Sequence, residues 1–174
     1  MLIIIIIIVA LFIMAYIYNK KDNKDKIKDK LESMMSRLSE ENPNQSLVIS
    51  GIEQEYKDFI KDKFGDKGLQ FYTSNLKPVT CTIPADFSLV KLDDLYRNRA
   101  TSPEYERLRL CGYIHNVLLL MLSLGVWIFR PDLSFDDFKA AITELMKQDL
   151  LNDAPKPAVK GYYSRYGRFY PQYY

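Results

Sequence analysis

Hydrophobic positions fall along this chain in four patterns, and each predicts a different element. Residues 2–18, LIIIIIIVALFIMAYIY, are apolar without a charge, Pro or Gly. These 17 residues would reach roughly 25 Å as a helix, the short end of a hydrocarbon span and suited to a thin bilayer. Twelve of them are Leu, Ile, Val or Phe, worth roughly −4 to −7 kcal/mol for insertion. Leu2, Ile5, Ile8 and Phe12 lie in the run, Tyr16 and Tyr18 suit the interface, and Lys20 and Lys21 stop it. A cleaved signal wants a basic start and a small-residue cleavage site, and neither is present. The pattern predicts an uncleaved transmembrane anchor.

The second pattern has helical period. In residues 22–41 a polar segment carries Ile27, Leu31, Met34 and Leu38 at a/d spacing. A helix this short needs a partner, either its own domain or a second copy. After turn formers at 41–46 and an ambiguous stretch at 47–50, Ile52, Tyr56, Phe59, Ile60 and Phe64 share one face, and Gly65 reads as a C′ stop. A helix over 86–99 presents Phe87, Val90, Leu92 and Leu95. Ser102 as cap, Pro103 at the first helical position and Glu104 in the first turn open a long helix expected to reach Phe129. Pro131 breaks it. Ser134 and Asp137 then form a capping-box start for a helix carrying Phe135, Phe138, Ile142, Leu145, Met146 and Leu150.

Period two is the third pattern. Residues 69–73 and 79–83 read as strands, the second with Val79, Cys81 and Ile83 on one face and Thr80 and Thr82 on the other. Pro78 and Pro84 confine it to an edge, so a minor β-hairpin is expected. The fourth pattern is residues 117–129, VLLLMLSLGVWIF, a run of 13 that suits a buried core helix. Extended back to Cys111 it reaches the length of a second span, which would return the tail to the side of Met1.

The predicted fold class is mainly α. It comprises an N-terminal transmembrane helix (1–19), a juxtamembrane helical stalk (20–45), a small, mostly helical domain with a minor β-hairpin (46–151), and a disordered or arm-like C-terminal tail (152–174).

Charge adds orientation. Residues 20–30 hold six Lys against three Asp, which by the positive-inside rule favours a cytosolic domain. Overall net charge is only +2, so nothing global argues for nucleic acid. Cys81 and Cys111 form no CxxC pair and fit reduced thiols facing the cytosol, with one disulfide open to a lumenal domain. Usage rich in Ile, Lys, Asn and Tyr suggests an AT-rich coding genome, such as that of a large DNA virus or a protist.

Candidate chemistry is sparse. His115 is the only histidine and lies four residues from Cys111, so a thiol–imidazole pair is conceivable on one helix face, without a third orienting group. Asp93/Asp94 and Asp136/Asp137 are adjacent pairs that diverge on a helix. Arg97, Arg99, Arg107 and Arg109 would suit phosphate, but Glu104–Arg107 and Glu106–Arg109 are expected to neutralise them in part. No catalytic, cofactor-binding or metal-ligating set is assigned. The tail GYYSRYGRFYPQYY brings together Tyr162, Tyr163, Arg165, Tyr166, Arg168, Phe169, Tyr170, Tyr173 and Tyr174, residue types enriched at interface hot spots.

The expectation is a non-enzymatic, single-pass membrane protein that links a bilayer to other protein subunits. It would serve in a membrane complex or a viral particle, in an endoplasmic-reticulum-derived or virion membrane. Self-association through the stalk is a further expected contact, and nucleic acid is not expected as a partner. A two-span fusion, penetration or membrane-remodelling factor is the alternative, and a membrane-tethered thiol enzyme the third.

Overall fold

Residue 23 is where the described chain begins: the computed structural model describes residues 23–40, 44–148, 151, 160–163 and 169–172. The anchor residues 1–19 lie outside that set. Among the described residues the fold is mainly helical. Its elements are α1 (Asn23–Ser39), α2 (Gln45–Ser74), α3 (Leu89–Arg97), α4 (Pro103–Leu110), α5 (Tyr113–Phe129), α6 (Phe135–Lys147), β1 (Lys160–Tyr163) and β2 (Phe169–Gln172).

The fourth hydrophobic pattern becomes the centre. α5 is apolar nearly all round, and such a helix must be covered on every side. Helices α1, α2, α4 and α6 all pack on it. Leu119, Leu120, Leu124 and Trp127 are essentially inaccessible to solvent. The a/d seam of α1 also turns inward: Leu31, Met34 and Leu38 are fully buried within the chain's own core. Trp127 anchors an aromatic cluster, edge-on to Phe59 at 5.3 Å and against Phe64 and Phe138 at 4.9 and 5.3 Å.

Helix starts follow the local code. Ser88, Ser102 and Ser134 each accept a hydrogen bond from the backbone N–H three residues on, satisfying a donor that the first turn leaves open. Pro103 takes the first helical position of α4, as expected.

Three expectations need correction. Residues 69–73 are helical. Gly65 does leave helical geometry (φ 69°, ψ −162°), but the helix resumes to Ser74, because Gly68 and Tyr72 are buried one turn apart and Phe71 meets Phe135 and Phe138. Aromatic residues suggested a strand there; packing against α6 decided otherwise. Residues 79–83 pair with no strand. They form a connector that lays Cys81 and Ile83 on the core and leaves Thr80 and Thr82 exposed, while Val79, expected on the inward face, is exposed as well. Finally, the long helix from Pro103 is two helices meeting at 77°, because Gly112 at φ 83° turns the chain between α4 and α5.

The hairpin that does form lies in the tail. β1 and β2 pair antiparallel with Tyr162 opposite Tyr170 and Tyr163 opposite Phe169.

Candidate functional site

The residues assigned to the membrane, Leu2, Ile5, Ile8, Phe12, Tyr16, Tyr18, Lys20 and Lys21, lie outside the described residues, and the chain re-enters description at Asn23, the start of α1. Of the tail residues, Tyr162 and Tyr163 fall in β1 and Phe169 and Tyr170 in β2. Arg165, Tyr166, Arg168, Tyr173 and Tyr174 lie outside the described set.

Of the residues with candidate chemistry, Cys81, Cys111, His115 and Arg107 meet at the α4–α5 corner. The connector after α2 crosses this corner and is fastened along its length. The Asn116 side chain accepts from the Lys77 N–H (2.8 Å) and donates to the Lys77 carbonyl (2.7 Å). Thr80 N–H donates to the Cys111 carbonyl at 3.2 Å, and Arg107 donates to the Thr82 carbonyl at 3.0 Å. His115 Nε2 sits 2.8 Å from the Asn75 carbonyl, which can only accept, so the proton resides on Nε2. Gly112 is required here. Its positive φ favours glycine, and a Cβ would stand 2.7 Å from the Pro78 carbonyl oxygen.

This fastening brings the cysteines together. Cys81 and Cys111 are joined as a disulfide, with Cα atoms 5.5 Å apart, inside the usual range. The expectation of two reduced thiols is therefore corrected. The pairing also removes the thiol–imidazole reading: Cys111 is bonded to Cys81 and buried, and His115 is buried with Nε2 engaged by a backbone carbonyl.

The arginines are likewise committed. Arg97 Nε lies 2.8 Å from Asp93, which is buried, and Arg99 stacks over the Tyr96 ring at 4.5 Å. Arg109 grips Glu106 with two 2.8 Å hydrogen bonds, holding that carboxyl below its usual range. The expected Glu104–Arg107 pair does not form; Glu104 lies 3.2 Å from Lys91, and Arg107 reaches Thr82 instead. Asp137 accepts from the Ser134 hydroxyl and its N–H bonds back, so it serves the start of α6. Among the described residues no group of three His, Cys, Asp or Glu is placed to hold a metal ion.

Deeper in the core, the Tyr56 hydroxyl, Ser123 Oγ and Trp127 Nε1 are all buried, with Ser123 and Trp127 beside the phenol. Burial, with a further push from Tyr72, holds the Tyr56 phenol well above its usual range, against the pull of Ser123 and Trp127. Burial does the same to Tyr72 and Tyr113.

Sequence reasoning favoured reduced thiols and left the cysteine pairing open. The signal was present in the period-two segment that puts Cys81 on the inward face, and in Cys111-Gly112, a turn hidden inside helical spacing. Set against protein-family models, curated proteins and solved structures, the chain matches none of them.

Proposed function

We propose that the protein is a single-pass membrane-anchored interaction protein that tethers a protein assembly to a bilayer, as a subunit of a membrane complex or a membrane-proximal component of a viral particle. The observation that carries this reading is the uninterrupted apolar run of residues 2–18, followed within a few residues by α1. α1 is built into the domain through Leu31, Met34 and Leu38, so the anchor and the helical body are joined with little slack.

The core position of α5 supports one span over two. No single described helix is long and apolar enough to cross a membrane, and although α4 and α5 pass together on length and composition, they meet at 77°. A two-span fusion, penetration or remodelling factor would have to expose α5 to lipid and strip it of α1, α2, α4 and α6. The tail is the element proposed to meet the partner. Its Tyr and Arg residues are of the kind that dominate binding energy, and the pairing of β1 with β2 sets Tyr162 opposite Tyr170 and Tyr163 opposite Phe169.

The test is crosslinking in native membranes of the full chain against a chain lacking residues 161–174. The arm reading expects partner adducts to be lost or strongly reduced in the truncated chain while membrane association persists. An unchanged set of adducts would remove the arm from the account.

A further inference from the structure

We propose that the helical domain lies on the oxidising, exoplasmic side of the membrane, with Cys81–Cys111 as its structural disulfide and Asn44 as an N-glycan acceptor. The proposal rests on the membrane-anchor reading.

Two independent observations point to that side. The first is the cysteine pair. Its proximity is imposed by the backbone: Asn116 clamps Lys77, Thr80 bonds the Cys111 carbonyl, and Gly112 admits the connector so closely that a Cβ would collide with Pro78. Two thiols held this way are readily oxidised by exchange with a disulfide donor of the protein-disulfide or glutathione class. One thiolate attacks the donor to give a mixed disulfide and the second displaces the donor thiol. The two cysteines lose two electrons and two protons, and the donor leaves as two thiols. Such bonds persist outside the reducing cytosol.

The second is Asn44-Gln45-Ser46, an N-x-S acceptor sequence with no Pro at its centre. The structure places it where a glycan can be carried. Asn44 is exposed in the turn between α1 and α2, while Gln45 is buried and donates from its side chain to the Leu38 carbonyl at 2.8 Å. Gln45 is thus pinned to the end of α1 while Asn44 beside it stays at the surface. The 17 residues of α1 separate it from the anchor side by about 25 Å of helix. The six lysines of residues 20–30 argue for the opposite orientation. The disulfide outweighs them, because it requires chemistry that a reducing compartment reverses.

The test uses the full-length chain with a C-terminal tag, expressed in cultured animal cells. The expected result has three parts. In sealed microsomes the tag resists protease. A polyethylene-glycol maleimide labels neither cysteine before reduction and both after it, with Cys81→Ser exposing one free thiol. An endoglycosidase-sensitive gel shift disappears in both Asn44→Gln and Ser46→Ala. A tag digested in intact microsomes, or two cysteines labelled without reductant, overturns the orientation. A protected tag with blocked thiols and no glycosidase-sensitive shift overturns Asn44 as acceptor. Release of the chain from membranes by alkaline carbonate would instead sink the anchor reading, so the two failures are distinguishable.

Discussion

Gly112 is the residue on which the α4–α5 corner turns. Gly112→Ala meets two penalties: a positive φ that an L side chain resists, and a Cβ driven onto the Pro78 carbonyl. The expected cost is about 1–3 kcal/mol, read as a lower denaturant midpoint at unchanged slope. Gly65→Ala isolates the backbone penalty, since nothing lies within 4 Å of its would-be Cβ while φ 69° and ψ −162° put it in a region all but confined to glycine; it should cost about 1–3 kcal/mol with no clash added. Trp127→Ala removes the ring against which Phe59, Phe64 and Phe138 pack, and should cost about 3–5 kcal/mol by the same measurement. At this scale the caps were legible, because Ser102-Pro103 and Ser134-x-x-Asp137 act within one turn. Gly112 was not legible as a break, since it interrupts an apolar spacing that continues on both sides. The choice between packing and turning depends on Pro78, more than thirty residues away in sequence.

Among the elements, α1 offers the clearest test. Its a/d seam had two candidate partners, and the structure buries Leu31, Met34 and Leu38 within the chain itself. Leu31→Ala should therefore lower the thermal midpoint, by about 2–5 kcal/mol of stability, and leave the oligomeric mass of the detergent-solubilised protein unchanged. A change in mass at full stability would assign the seam to a second copy. Most helices were legible from period and caps. Residues 69–73 were misread because Phe71 and Tyr72 favour strands intrinsically, whereas Phe71 packs on Phe135 and Phe138 of α6 and Tyr72 is buried edge-on to Tyr56. Residues 80–83 show that period-two alternation can report one-sided burial without a neighbouring strand; Val79 lies outside that pattern, exposed to solvent. The tail pairing of β1 with β2 left no clear mark, because residues 160–172 carry Tyr and Gly throughout with no alternation to read.

Over the whole molecule, the disulfide and the buried phenols set the limits of stability. The disulfide closes a loop of 30 residues, and its removal in Cys81→Ser/Cys111→Ser should cost about 3–4 kcal/mol by the chain-entropy relation. Thermal unfolding with and without reductant checks it: reductant should lower the midpoint of the native protein and leave the double variant unmoved. Tyr56, Tyr72 and Tyr113 have phenols raised by burial. Groups raised in the folded state contribute stability that is fully present below the unfolded value of about 10 and lost as pH climbs above it. Tyrosinate absorbance of these residues should accordingly appear only with loss of near-ultraviolet circular dichroism, as a cooperative step above pH ~10. A smooth titration in the folded protein would contradict their burial. On the acid side, Arg37 bonds Glu55 at 2.8 Å and holds its carboxyl below the usual range, so that contribution is present above the unfolded value and fades as pH falls through the folded one.

The central claim is that residues 2–18 hold this helical body to a membrane. Alkaline carbonate extraction of membranes carrying the full chain, beside a chain that begins at residue 23, tests it most directly. The account predicts that the full chain stays in the membrane pellet and the shortened chain moves to the supernatant. A full chain released by carbonate, or a shortened chain that remains integrated, would contradict it.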